Sequence, residues 1–492
     1  MIRPISPYKG IVDKDIEDII LYREGGRLCY FLYHYIIVEQ VVRKHPLYQH
    51  SVGLFAVSKD YFAKWFLFAP NGQKLEEYFS AYLDRYTNDL RELEGMENYL
   101  LKLAASLHNV LPVNPSSLSN DELKKDFSAF CHLYRDIMII AGNLRVIDRA
   151  VVAGLRKSFG DKGGQDELIA IAGTPSKIPF NTAEEVALLK LAADVRKGNI
   201  DPLLPEFHSR ITEIVENYAW SQMGYMDEAA HTGEDYEKRV TQLLVENPEQ
   251  ALFKIDARLK DNAKQREDLS KDLDARGKAL VRIASWAAYL KDLYKACVNK
   301  AEYFAEPLFQ EIVQRTGIRK DIFLNLLPDE TLALLDGVRP DMSFVNERTK
   351  QNVLVGLPGK LTLLTEGEAQ EFVERYLTHR DSQKTEFKGR VASRGKVIGT
   401  AKVVLGEDDF QKLEKGEILV VSNTSPDFTP IMHKAGAIVA EEGGLTAHVS
   451  IVSREFGIPC VVGIANATEV FKDGDSVEVD ANKGIVKILK RV

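Results

Sequence analysis

The sequence predicts a multidomain α+β protein: a largely helical N-terminal and middle region followed by a C-terminal β/α domain. Three observations carry this. Between Leu75 and Tyr294, long stretches place apolar residues at helical spacing with charged residues between them. From Ile418 onward, short apolar runs alternate with amphipathic helical segments, the pattern of a βαβ core. The chain of 492 residues is also long enough for two or three domains with substantial cores.

Taken in order, residues 1 to 75 hold aromatic and β-branched runs at Tyr30–Val42, Val52–Val57 and Tyr61–Phe68. These are strands or buried helices, and periodicity over such lengths does not decide between them. Leu75 to Asn109 and then Asp121 to Ser158 are amphipathic and helical. The Gly-Asp-Lys-Gly-Gly run at Gly160–Gly164 reads as a surface turn, because its glycine spacing is wrong for a P-loop and no serine or threonine follows the lysine. Asn181 opens another helical section, with Thr182 and Glu185 as a capping box. The charged stretch Asp256–Arg276 reads as a solvated helix face that continues into an apolar-striped helix through Trp286, Tyr289 and Tyr294.

The C-terminal region is more regular. Strands are expected at Ile418–Val421, Ala437–Ala440 and Pro459–Val462, helices at Pro426–Lys434 and Ala447–Phe456, and a closing hairpin from Ser476–Asp480 to Gly484–Leu489. The resulting division is an N-terminal domain over 1–200, a helical connector over 201–375, a hinge over the charged segment 376–388, and a final domain over 389–492.

Composition narrows the function classes. Apolar content of 45% and charged content of 28% are ordinary for a globular protein, and a net charge of -8 offers no basic surface of the kind nucleic-acid binding requires. The four cysteines, Cys29, Cys131, Cys297 and Cys460, are scattered singly and suggest neither a disulfide framework nor a zinc cluster. No His-x-x-x-His pair or carboxylate pairing indicates a metal site. The first fifteen residues lack a signal-peptide core, and Leu28–Val42 is too short to span a bilayer, so a cytoplasmic protein with no membrane partner is expected.

One hexapeptide points to chemistry. In Gly443-Gly444-Leu445-Thr446-Ala447-His448, a histidine enters the first turn of an amphipathic helix directly after two glycines and a capping residue. The glycines let the main chain approach an anion, Thr446 is the expected N-cap, and Gly457 with Pro459 ends the helix. A helix N-terminus favours a phosphoryl group carrying roughly two negative charges and disfavours imidazolium. His448 is therefore expected to be neutral, with one ring nitrogen free to attack phosphorus. Read without that context, His448 is a polar residue at a helix start, and Thr446 is a cap and nothing more.

From Gly389 to the C-terminus the sequence resembles the phosphohistidine-bearing, swivelling mobile domain of phosphoenolpyruvate synthase, pyruvate phosphate dikinase, rifampicin phosphotransferase and enzyme I of the sugar phosphotransferase system. The resemblance runs through Gly389-Arg390-Val391-Ala392-Ser393-Arg394-Gly395, Thr424-Ser425-Pro426-Asp427, Ala435-Gly436-Ala437, the hexapeptide, Arg454-Glu455-Phe456-Gly457-Ile458-Pro459 and Gly474-Asp475. It implies that His448 is phosphorylated during turnover, with Gly443, Gly444 and Thr446 at the phosphate and Thr424, Ser425, Asp427 and Arg454 as possible supports. Ser425 or Asp427 serves equally as a cap for the helix that Pro426 begins. Arg454, six positions after His448, points away from the imidazole and suits a salt-bridge or docking role better than phosphate binding. Two positions depart from the family: Ala447 where a hydroxyl residue is frequent, and Val449 where alanine or serine is usual. A looser resemblance to the helical connector of rifampicin phosphotransferase and its relatives covers His208–Trp220 and Thr316–Phe323 followed by Pro328–Leu332, where the relatives have a short strand and an acidic helix start.

Neither an ATP-grasp domain nor a phosphoenolpyruvate-binding barrel is recognisable in the sequence. The resemblance then implies a phosphotransferase component that shuttles phosphate, with ATP and magnesium at a separate ATP-grasp kinase subunit and a small-molecule acceptor of unknown identity. The alternative is a non-catalytic interaction or regulatory module built on the same fold.

Overall fold

The structure, a computed structural model, describes residues 22–28, 53–59, 62–68, 83–84, 86–110, 114–160, 164–223, 230–245, 247–357, 360–374, 384–424, 428–441, 447–464 and 466–492. It opens with strands β1 (Tyr22–Leu28), β2 (Gly53–Lys59) and β3 (Phe62–Phe68). The helices α1 (Arg91–Val110), α2 (Asn120–Phe159), α3 (Gln165–Ala172), α4 (Phe180–Arg196), α5 (Pro205–Tyr218), α6 (Gly233–Val245), α7 (Pro248–Lys271), α8 (Ala275–Thr316), α9 (Lys320–Phe323), α10 (Pro328–Leu335) and α11 (Met342–Lys350) follow. Strands β4 (Gln351–Leu357) and β5 (Lys360–Thr365) and helix α12 (Glu366–Val373) complete this part.

The early apolar runs at Val52–Val57 and Tyr61–Phe68 resolve as strands, whereas Tyr30–Val42 lies outside the described residues. They belong to a five-stranded antiparallel sheet ordered β1-β3-β2-β4-β5. β2 pairs with β4 from Leu54 opposite Gly356 to Lys59 opposite Gln351. That pairing ties the beginning of the chain to residues expected to be helical connector, and it crosses the boundary expected at residue 200.

The helical core is organised by α2 and α8, of 40 and 42 residues. They run antiparallel, as the buried Tyr134 hydroxyl donating to Glu302 at 2.8 Å and the Lys291–Asp148 ion pair at 2.9 Å require. Phe127, Phe130, Phe309 and Phe323 fill one end, with Phe130 and Phe309 edge-to-face at 5.0 Å between ring centres.

Three local expectations are corrected here. The charged stretch does not run on into the striped helix: α7 stops at Lys271, and Asp274 caps α8 by accepting from the Gly277 amide at 2.7 Å. The Thr182–Glu185 capping box does not form, because α4 already starts at Phe180 behind Pro179. Its first amide is capped from another helix, donating to Asp292 of α8 at 2.7 Å. In the Thr316–Phe323 segment, Gly317 ends α8 in a left-handed conformation and α9 is a turn of helix in place of a strand.

The C-terminal domain comprises β6 (Glu386–Lys388), β7 (Arg390–Ser393), β8 (Lys396–Val404), β9 (Ile418–Val421), α13 (Thr429–Met432), β10 (Ala437–Ala440), α14 (His448–Phe456), β11 (Cys460–Val462), α15 (Ala467–Val470), β12 (Ser476–Asp480) and β13 (Ile485–Lys490). One sheet holds all eight strands in the order β6-β13-β12-β8-β9-β10-β11-β7. Its centre, β8-β9-β10-β11, is parallel, and its flanks are antiparallel. Every residue of β9 and β10 is buried, which is why these strands read as unbroken apolar runs. Leu419, Val421, Ile438 and Ala440 share a core with Val449 and Val452 of α14, while Ile418, Val420, Ala437 and Val439 face the opposite core around Phe471 and Val477. Within the segment expected to be a hinge, Glu386–Lys388 pairs with β13 as an edge strand, and residues 375–383 lie outside the described set. The helix expected over Pro426–Lys434 is reduced to Thr429–Met432, with 425–427 not described.

Candidate functional site

The parallel strands β9 and β10 end side by side, Val421 registered against Ala440, at the edge where α/β sheets gather ligand-binding groups. β9 leads to Thr424, and the chain beyond β10 returns as α14. His448 is the first residue of that helix, with Ala447 as N-cap at φ -71° and ψ 156°. This corrects the expectation that Thr446 caps a helix beginning at Ala447. An alanine cap offers no oxygen to the first-turn amides, and Ala447 makes no side-chain cap. The C-terminal signals behave as expected, since Gly457 adopts φ 65° and stops the helix.

Thr424 and His448 are brought together: Thr424 Oγ1 lies 2.8 Å from His448 Nδ1. Thr424 is buried and His448 partly buried. When Nδ1–H donates to the threonine oxygen, the lone pair of the ring sits on Nε2. The imidazole pKa is lowered to about 4, chiefly by burial and secondarily by the positive charge of Lys295 on α8. The direction agrees with the neutral ring expected from sequence. The physical cause is desolvation first, with a charge from another part of the chain behind it.

Of the other expected site residues, Gly443, Gly444, Thr446, Ser425 and Asp427 lie outside the described residues. Arg454 is set apart from the histidine. Its guanidinium is largely buried, which lowers its pKa, and Nη1 reaches the Ala392 carbonyl oxygen at 3.5 Å, tying α14 to β7. His433 stacks on Phe456 with ring centres 3.6 Å apart and makes a packing contact. Cys460 is buried in β11, and burial pushes its thiol up to about 12.

Two partners of this helix, Arg258 and Lys295, escaped the sequence reading. Glu455, in the last turn of α14, forms an ion pair with Arg258 of α7. Lys295 acts on the ring at the first turn. Arg258 lies inside the charged stretch read as a solvated face, and nothing in its spacing singles it out.

Among the described residues, no group of three or more His, Cys, Asp or Glu side chains could hold a metal ion. Nor is any described helix long and apolar enough to cross a membrane. A cleft of about 590 Å³ between Asn120, Arg315, Leu335 and Arg339 shares no residue with the histidine site. Arg315 is already occupied there, donating to Glu311 at 3.0 Å, the Leu118 carbonyl at 2.8 Å and Asn120 at 3.0 Å.

Residues 413–484 match the family described as PEP-utilising enzyme, mobile domain. Over 100 residues the chain is 52% identical to the probable phosphoenolpyruvate synthase of Archaeoglobus fulgidus, covering 20% of this chain and 13% of that protein. It is 44% identical over 124 residues to the corresponding protein of Methanothermobacter thermautotrophicus, covering 25% and 17% respectively. With the phosphoenolpyruvate synthase of Aeropyrum pernix it shares 34% identity over 198 residues, 40% of this chain and 21% of that one. The similarity thus spans about an eighth to a fifth of the length of these relatives.

Proposed function

We propose that this chain, whose C-terminal region is a mobile domain of the PEP-utilising enzymes, is a phosphoryl carrier that passes phosphate through a phosphohistidine at His448. The observation that carries the reading is the 2.8 Å approach of Thr424 Oγ1 to Nδ1 of a ring kept neutral by burial. With Nδ1–H donated to Thr424, Nε2 attacks the donor phosphorus. An N–P bond forms, the P–O bond to the leaving oxygen breaks, and the leaving group departs with that electron pair. The ring becomes cationic in the product, and the Nδ1–H bond to Thr424 strengthens as it does so. Reversal at a second station would deliver the phosphoryl group to the acceptor.

The donor in this reading is a separate ATP-grasp polypeptide that binds ATP and magnesium, giving a split, dikinase-like system in the cytoplasm. The acceptor is a small molecule. Transfer at two stations requires the domain to swivel, because proximity makes each step fast. The test is phosphopeptide mapping without acid, after incubation of the full chain with labelled ATP and candidate ATP-grasp proteins, or with labelled phosphoenolpyruvate. Label should appear on His448 and vanish in His448→Ala. A wild-type chain that stays unlabelled under all donors, or is labelled elsewhere, would overturn the reading.

A further inference from the structure

The three parallel strands beneath the site end level with one another: Val421 of β9 is registered against Ala440 of β10, and Ala440 against Val462 of β11. Glu441 is the next residue after β10. Its amide donates to the Val421 carbonyl at 3.1 Å, which carries the β9–β10 pairing one step past the strands. From this level the two arms of the site diverge. Val421 leads in three residues to Thr424, and Glu441 leads in seven to His448.

The side chain of Glu441 is buried and turns to a third segment. One carboxyl oxygen, Oε1, accepts from both the backbone amide and the hydroxyl of Thr468, at 2.9 and 2.6 Å. Thr468 is the second residue of α15, and Asn466, at the N-cap with φ 56°, makes no side-chain cap. The start of this helix is therefore held from the end of β10. α15 packs in turn on β9, and Ala467 shares a core with Val420. A path of contacts thus runs from Glu441 through Thr468 and α15 to β9, the strand that leads to Thr424. Ser422, closer in sequence to Thr424, supplies no such anchor, because its buried hydroxyl makes no hydrogen bond among the described residues.

We infer that Glu441 is a positioning residue for the Thr424–His448 contact: its carboxyl group ties the exit of β10 to α15 and so fixes the exit of β9, which sets the hydroxyl at Nδ1. A carboxyl oxygen fits this role because its lone pairs take both Thr468 donors at once. Without an acceptor at position 441, the partly buried amide and hydroxyl of Thr468 lose their bonds, and α15 shifts to find others. The end of β9 follows the helix packed on it. The consequence for phosphoryl transfer rests on the proposed carrier function. The contact itself does not.

The test uses the full chain with isotope-labelled histidine, in which two-bond proton–nitrogen spectra report the ring nitrogen that holds the proton. The His448 signal is assigned by its loss in His448→Ala. In the wild type the proton should sit on Nδ1. Glu441→Ala should move it towards the Nε2–H form and slow label uptake at His448 about five- to tenfold, as loss of the Thr424 hydrogen bond does. Glu441→Gln, which keeps an acceptor for Thr468, should retain the Nδ1–H form. Because Glu441 acts through Thr424, adding Glu441→Ala to Thr424→Val should slow uptake no further than Thr424→Val alone. Thermal unfolding checks that each variant is folded. If Glu441→Ala does not fold, Thr468→Val removes one of the two donors and should shift the proton in the same direction. A wild-type proton on Nε2, a folded variant with the wild-type proton position, or slowing that multiplies in the double variant would overturn the assignment. A chain that no donor labels leaves the spectra readable, so the two proposals fail separately.

Discussion

Thr424 Oγ1 and His448 Nδ1 lie 2.8 Å apart although 24 residues separate them in the chain. Two adjacent parallel strands cause this: Val421 of β9 is registered against Ala440 of β10, so the segments leaving their ends emerge side by side. The hydroxyl can then choose which ring nitrogen holds the proton.

Replacing Thr424 by valine keeps the shape and removes the acceptor for Nδ1–H. Phosphate uptake at His448 should slow about five- to tenfold, the worth of one hydrogen bond, while Thr424→Ser keeps most of the rate. Initial rates of label incorporation measure this. An unaffected valine variant would remove Thr424 from the chemistry.

The ring pKa of about 4 makes a signed prediction for pH. A histidine at its usual 6.5 would be half protonated at that pH and lose half its nucleophile. His448 should remain neutral, so uptake at this residue should stay level from pH 8 to about 5. The unfolded chain binds this proton near pH 6.5 and the folded chain only near pH 4, so the folded state loses stability as pH falls through that window. A ring-proton NMR titration centred near 6.5 would refute both statements.

Asp292 behaves in the opposite sense. Burial raises its pKa to about 6 while it accepts the Phe180 amide at 2.7 Å. Unfolding releases its proton between the ordinary carboxyl value and about 6, so stability falls as pH rises through that range. Asp292→Asn keeps an acceptor for the amide and should flatten this slope, gaining about 1 kcal/mol above pH 6 after allowance for solvent screening. Asp292→Ala removes the cap and should cost about 1 kcal/mol. Denaturant melts across pH 4 to 8 distinguish the two.

Gly436 precedes β10, and a side-chain carbon there would press on the Gly416 carbonyl oxygen, well inside contact distance. Backbone cannot yield as a flexible side chain can. Gly436→Ala should destabilise the fold by about 1–3 kcal/mol, read from thermal or denaturant unfolding. Wild-type stability in this variant would mean the two turns separate freely.

Arg348 is fully buried, with Nε donating to the Asn325 carbonyl at 3.0 Å and Nη1 to Glu330 at 3.1 Å. Glu330→Ala would strand that cation and should cost about 3–5 kcal/mol, whereas replacing both partners by apolar residues should recover much of the loss. Equilibrium unfolding of the single and double variants tests the coupling.

Legibility followed the range of the interactions. β9 and β10 were readable because buried parallel strands leave unbroken apolar runs, and α2 because its periodicity persists over 40 residues. β4 and β5 read as helical connector because each is short and β4, to which β5 pairs, finds its other partner β2 near the beginning of the chain. The start of α4 was misplaced because its cap is Asp292, a residue of another helix, and a search for capping residues beside the helix cannot find it.

The amino-acid sequence alone determined the order of the strands from β9 to β13 and the choice of His448 as the candidate reactive group, because apolar runs, glycine stops and a motif act over a few residues. Only the tertiary structure decided which hydroxyl meets the ring, how burial lowers the ring's pKa, and that Arg258 pairs with Glu455 at the far end of its helix. Burial and charge are set by whatever neighbours folding brings in, and those neighbours come from distant segments that carry no local mark of the role.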